Sequence, residues 1–290
     1  MNKKKYINKI MLVIFAIFLI LPSLQITAIE IQTEQINNDN KAILEKKKIH
    51  IKNEFINKLG WPLIYDRYAE DISKDIVLDS NENIIVNGYT FNNMTYGYDF
   101  LTLKYSHEGE FLWDAIFDGG KYDYAWDIDV DSEDNIILFG INSSISGDSM
   151  DDFNFTLFLI KYNSKGVELW NKIIKLDEDC FPGGITVDSN DNILMTLGKG
   201  SFDTMAFFCH IIKMDGVGNE IWNTTYTQEM LSIGFEVVVN DNDEIFVGGL
   251  GASFIGQGWF IAKYDSTGSF QWTQRYNIGD NLNDLEIDSE

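Results

Sequence analysis

From Trp61 onward, apolar residues come in short runs rather than on a helical face, with polar clusters between them. In the clearest stretch, Trp126 to Asp131 alternates, with Ile128 and Val130 on one face. The turn-forming run D-S-E-D-N follows, then the apolar run Ile136 to Phe139, closed by Gly140. A longer polar loop leads to Phe155–Tyr162, N-S-K-G makes a tight turn, and Val167–Ile174 completes the set. Period-two alternation between turn signals predicts four strands. No window of comparable quality shows helical periodicity between Trp61 and the last residue.

The four-run pattern recurs. D-S-N-E-N-I-I-V-N-G from Asp79, D-S-E-D-N-I-I-L-F-G from Asp131 and D-S-N-D-N-I-L-M-T-L-G from Asp188 align with N-D-N-D-E-I-F-V-G-G from Asn240. Each leads to a lysine (Lys104, Lys161, Lys213, Lys263), then a glycine (Gly109, Gly166, Gly218, Gly268) and a tryptophan (Trp113, Trp170, Trp222, Trp272). The tryptophans are 57, 52 and 50 residues apart. Four short strands repeated at that period predict an all-β fold, a β-propeller of four-stranded blades. At least four blades are expected. The D-S-E at Asp288 to Glu290 opens a fifth motif, so the propeller is expected to be incomplete. The tryptophans, with Trp61 one period earlier, are expected as core plugs between blades. The glycines relieve turns.

These repeats, D-I-x-V-D-S-x-x-N-I-x-x-x-G followed by F-L-x-K-Y-x-x-x-G-x-x-x-W, resemble the SBBP-type β-propeller repeat. The resemblance covers residues 61–290 and implies an exported or cell-surface protein with structural repeat residues. Asn240 and Glu244 depart from the pattern, and Leu197 stands where glycine is expected.

The start of the chain is of another kind. M-N-K-K-K-Y-I-N-K precedes an uncharged stretch from Ile10 to Ile29. A basic start, an apolar run and small residues up to Ala28 describe residues 1–28 as a signal peptide or N-terminal anchor. Residues 29–60 read as a linker followed by a degenerate half-blade or a short helix. Leu44, Ile51, Phe55 and Leu59 fit a helical face, while Lys52 precedes Trp61 as Lys104 precedes Trp113. The protein is expected to be secreted or at the cell surface, touching membrane only through an uncleaved N-terminal segment.

The formal net charge is −23. Such a surface repels phosphate backbones, which excludes nucleic acid as a partner class. It favours divalent cations. Counting four residues back from each repeat aspartate gives Asp75, Asp127, Gly184, Glu236 and Asp284. If first strands lie nearest a central axis, these acids form a weak candidate ring for calcium through oxygen ligands. No other cofactor is expected. Asp127, Asp129, Asp131 and Asp134 cluster, but without the glycine and late glutamate of an EF-hand loop.

Catalytic signatures are absent. His50, His107 and His210 are the only histidines, and no zinc, nucleophile-elbow or phosphate-loop motif occurs. G-G-L-G at Gly248 to Gly251 follows a strand without a helix. Cys180 and Cys209 are expected unpaired, because a first and a third strand stand too far apart. Asn93, Asn142 and Asn154 are glycosylation acceptors expected in exposed loops after the second strand. Three functions fit: a non-catalytic binding or scaffold module for extracellular protein or glycan, an extracellular glycoside hydrolase or lyase with scattered carboxylates, or a structural surface-layer component.

Overall fold

In the computed structural model, Tyr65 and, apart from short internal stretches, residues 70–277 are described. The proposed signal, linker and half-blade, Trp61, Asp284 and the opening fifth motif lie outside the described residues. The described part is all-β. Sixteen strands form four consecutive antiparallel units.

Unit 1 comprises β1 (Asp71–Leu78), β2 (Ile84–Asn92), β3 (Gly97–Tyr105) and β4 (Phe111–Phe117). Unit 2 comprises β5 (Tyr122–Val130), β6 (Ile136–Ile145), β7 (Phe153–Tyr162) and β8 (Glu168–Ile174). Unit 3 comprises β9 (Asp179–Val187), β10 (Ile193–Ser201), β11 (Ala206–Met214) and β12 (Glu220–Thr225). Unit 4 comprises β13 (Leu231–Val239), β14 (Ile245–Ser253), β15 (Gly256–Tyr264) and β16 (Phe270–Asn277). Each unit is an up-and-down meander, and a single parallel bridge, Tyr98 to Tyr122, links the sheets of units 1 and 2. The first strands are neighbours in turn: β1 contacts β5, β5 contacts β9, and β9 contacts β13.

The core lies between units, because each sheet is apolar on both faces. Ile85 and Phe100 of unit 1 pack on Ile128, Ile136, Leu138 and Ile160 of unit 2. Ile137, Phe139 and Leu159 of unit 2 pack on Ile193, Met195 and Ile212 of unit 3. Leu194, Cys209 and Ile211 of unit 3 pack on Ile245, Val247 and Ala262 of unit 4. A period-two strand sends alternate residues to opposite faces, so consecutive isoleucines serve two different interfaces.

The repeated polar residues join the units. Asp79, Asp131 and Asp188 are buried and hold Lys104, Lys161 and Lys213 at 2.7, 2.7 and 2.6 Å. Each lysine also donates to a carbonyl of the next unit: Ser164 at 3.2 Å, Gly216 at 3.1 Å and Ser266 at 3.3 Å. In the D-S-x-x-N turns, Ser80, Ser132 and Ser189 donate to Asp134, Asp191 and Asp243 of the following turn, each at 2.8 Å. The accepting position has φ near +55 to +60° at Glu82, Asp134, Asp191 and Asp243, where a short polar residue is tolerated.

Two expectations are corrected. Trp113, Trp170 and Trp222 do pack against the clusters between units, but only half-buried, because they stand on the outer fourth strand. Trp113 covers the turn glycine Gly166 of the next unit and donates Nε1–H to Ser164 O at 3.2 Å. Trp222 covers Gly268 likewise, and Trp272 is 45% exposed. The turn glycines have φ of +78 to +87°, as their turns require. Asn142 is not in an exposed loop: β6 continues past it, and it is 5% exposed with its amide donating to Asp123. Asn93 does lie in an exposed turn, and Asn154 lies within β7. Cys180 and Cys209 are free and buried, one in each of the two clusters flanking unit 3.

Candidate functional site

Of the acidic column predicted from the repeats, Asp75, Asp127 and Glu236 fall on neighbouring strands, and Asp284 lies outside the described residues. Asp75, Asp127, Gly184 and Glu236 occupy the same place on β1, β5, β9 and β13, the strands that neighbour one another. A bulge precedes the position in every case: between Ser73 and Asp75, between Ala125 and Asp127, at Gly183–Gly184, and between Gly234 and Glu236. A bulge re-aims the side chains that follow it, and each of the four units carries one at this position. The bulge residues of the first two units also meet, with the Lys74 ammonium 5.2 Å above the Trp126 ring.

Glycine breaks the column at position 184 for a steric reason. A Cβ there would lie 2.5 Å from Glu236 Oε1 and 2.9 Å from Glu236 Cα. The glutamate fills the space a third-unit side chain would take.

Asp127 is the centre of the group. Its Oδ2 accepts the Ile185 N–H of the next first strand at 2.6 Å, and its Oδ1 accepts the Ile128 N–H at 2.8 Å. Two residues on, Asp129 accepts the Val187 N–H at 2.8 Å, so two carboxylates stitch β5 to β9. Burial holds Asp127 well above the usual carboxylate range. Its hydrogen bond with the Asp75 side chain and the charge of Glu236 push the same way.

A second acidic group has no counterpart in the repeat pattern. Asp99, Asp118 and Asp123 are the one trio among the described residues whose ligand atoms all lie within 4.8 Å of one another. Asp123 is buried, and its Oδ2 accepts the Gly119 N–H at 2.7 Å and the Gly120 N–H at 3.2 Å. Burial pushes its carboxyl up to about 6, although the bonds from Asn142 and Gly119 oppose this. The group escapes a repeat-based reading because Asp118 sits in the unit 1–unit 2 connection and Asp123 at the start of β5.

His210 bonds Thr225 Oγ1 at 2.7 Å within unit 3, and His107 lies in the β3–β4 turn beside Glu108. Neither is near the column in sequence register. The carboxyls of Asp79, Asp131 and Asp188 show the opposite behaviour to Asp127. Burial would raise each, but the lysine, the turn asparagine and backbone N–H groups outweigh it and hold each below its usual value.

No family model matches the chain, and no curated protein matches it in sequence. Among solved structures it is similar to a protein of unknown function from Dyadobacter fermentans DSM 18053, with a TM-score of 0.53 at 9% identity over 71% of this chain and 69% of that one. It is also similar to an ulvan lyase of polysaccharide lyase family PL25, with a TM-score of 0.51 at 14% identity over 70% of this chain and 56% of the lyase. The same lyase bound to -[GlcA(1-4)Rha3S]- gives 0.51 at 15% identity. The chain thus spans just over half the length of the lyase. At these identities the likeness concerns the fold, and the fold these structures share with the chain is β-rich.

Proposed function

We propose that the chain is an exported β-propeller built from SBBP-type repeats, acting as a non-catalytic binding or scaffold module at the cell surface. Its partners are extracellular protein or glycan. One observation carries this reading: the recurring aspartates, lysines and serines form a chain of bonds that ties each unit to the next. The aspartates grip lysines, the lysines grip the next unit's turn, and the serines grip the next unit's aspartates. A framework of this kind fixes a row of loops without spending its repeated chemistry on a substrate. The strongly negative surface favours neutral glycans or cationic protein surfaces.

Binding of the exported chain to a panel of neutral and anionic polysaccharides and to basic proteins tests this. Retention of a neutral glycan or basic protein without chemical change is expected. Depolymerisation of any member would overturn the non-catalytic reading.

A lyase or hydrolase is the second reading, favoured by the side-chain hydrogen bond between the carboxyl groups of Asp127 and Asp75. An anionic polymer such as -[GlcA(1-4)Rha3S]- would meet like charge on this chain. Should depolymerisation occur, its loss in Asp127→Asn would place the chemistry at the column.

A further inference from the structure

At the end of unit 1 away from its D-S-N-E-N turn, two sheets become one. β4 follows β3 only as far as the Phe100–Phe117 pair, and beyond it β5 takes that side of β3 through the Tyr98–Tyr122 bridge. β2, β3 and β5 therefore run locally as one sheet, whose alternate residues point to opposite faces. Tyr89 and Phe91 of β2, Tyr98 of β3, and Tyr122 and Tyr124 of β5 share one face. Thr90, Asp99 and Asp123 share the other, where the acidic trio lies.

The rings meet one another. Centroid to centroid, Tyr98 lies 5.3 Å from Tyr89, 5.4 Å from Phe91 and 5.6 Å from Tyr124, and Tyr89 lies 5.0 Å from Tyr124. Rings at these separations are in contact, so they form a platform with no slot between them. All four tyrosines are half-buried, whereas Phe100, next along the same face, is buried. Tyr98 donates its hydroxyl to Oε2 of the exposed Glu70 at 2.8 Å. Among the described residues, the Tyr89 and Tyr124 hydroxyls have no hydrogen-bond partner. Burial pushes the Tyr124 hydroxyl up to about 12, and burial with the Glu70 charge raises that of Tyr89, so both are donors at neutral pH.

The repeat does not ask for these hydroxyls. Six residues before the later repeat lysines, Tyr98 is answered by Phe155, Phe207 and Gln257. Three residues before Gly184 and Glu236, Tyr124 is answered by Phe181 and Ile233. The fold is built there without a phenol.

A ring platform edged with hydroxyls matches a pyranose, which has an apolar C–H face and polar groups around its rim. Glu70 can accept from a sugar hydroxyl but repels a sulfate or uronate. A basic peptide would find the denser negative charge on the opposite face of the sheet, at the acidic trio. We propose that the face of Tyr89, Phe91, Tyr98, Tyr122 and Tyr124 binds a neutral saccharide, its rings under the sugar and the Tyr89 and Tyr124 hydroxyls bonded to the rim. This assignment rests on the binding-module reading and gives that reading a place and a ligand class.

The test is affinity electrophoresis of the full chain through gels holding a neutral glucan, mannan, xylan or galactan, or the anionic polymer alginate. At least one neutral polymer retards the parent, and alginate does not. Tyr89→Phe combined with Tyr124→Phe keeps both rings and weakens retention about ten-fold or more, the loss expected for two hydrogen bonds. Its thermal midpoint stays close to the parent's. Phe270→Ala, which removes an exposed ring of unit 4, leaves retention unchanged. Equal retention of the parent and the double variant would overturn the site while leaving the binding-module reading intact. Retention by no neutral polymer, or binding only to a basic protein, would overturn the ligand class. Weakened retention of the double variant together with cleavage of the polymer by the parent would uphold the platform and strike the non-catalytic reading instead.

Discussion

The buried lysine of each unit can be tested against an internal control. Lys161 Nζ lies 2.7 Å from Asp131 Oδ2 and 3.1 Å from Gly216 O, and the two side chains are 7% and 3% exposed. Removing one partner of a buried pair costs roughly 3–5 kcal/mol, because the other charge stays behind without its partner. In Lys161→Met, Asp131 keeps three donors: Glu133 N–H at 3.0 Å, Asn135 N–H at 2.9 Å and Asn135 Nδ2 at 2.9 Å. The cost should therefore fall at the lower end, about 3 kcal/mol. In unit 4 the equivalent pair, Lys263 and Glu244, is 21% and 37% exposed, although its 2.8 Å separation is almost the same. Solvent screens it, so Lys263→Met should cost no more than about 1 kcal/mol. Urea unfolding followed by tryptophan fluorescence separates the two. At a slope of about 2–3 kcal/mol per molar, Lys161→Met should shift the midpoint by about 1 M or more, and Lys263→Met by a third of that or less. Adding Asp131→Asn to Lys161→Met should cost less than the sum of the single changes. Equal shifts for Lys161→Met and Lys263→Met would refute the reasoning, because distance rather than burial would then set the strength.

Stability should depend on pH with two opposite signs. Asp79, Asp131 and Asp188 have lowered pKa values when folded, so their contribution is present above the ordinary value of 3.8 and is lost as pH falls through the folded values. Asp123 is raised to about 6, so the folded chain keeps a proton that the unfolded chain loses near 3.8. Stability from that group falls as pH rises across this window, by at most roughly 3 kcal/mol, and Asp123→Asn should reduce the slope of melts recorded between pH 4 and 7, leaving the part that Asp127 contributes. Gly184→Ala should destabilise by roughly 1–3 kcal/mol, since the new methyl meets the Glu236 backbone and not only its flexible carboxylate. A Gly184→Ala midpoint equal to the parent's would show that the space beside Glu236 can open freely.

What the sequence made legible was what repeats. The strands and the turn glycines follow from one pattern read four times, and the same pattern sets Asp75, Asp127 and Glu236 at equivalent places on β1, β5 and β13. The link between Asp131 and Lys161 was not legible, although both residues were in the motif. Strand 3 of a unit must lie beside the first turn before their side chains can meet, and that is a property of the folded sheet. The tryptophans were misjudged because size suggests burial, whereas position on the outer strand decides it. Asp99, Asp118 and Asp123 could not be seen as a group, because a loop unique to one junction brings them together.

The lysines have a consequence for how the molecule comes apart. Lys104, Lys161 and Lys213 are each held half by their own sheet and half by the one after it. Peeling a neighbour away would uncover the apolar face and deprive a desolvated ammonium of an acceptor in the same event. Interior sheets therefore should not open singly, and the transition should be shared along the row. Fraying should begin at unit 4, whose lysine already stands partly in water, and hydrogen exchange should rank its amides as the first to open.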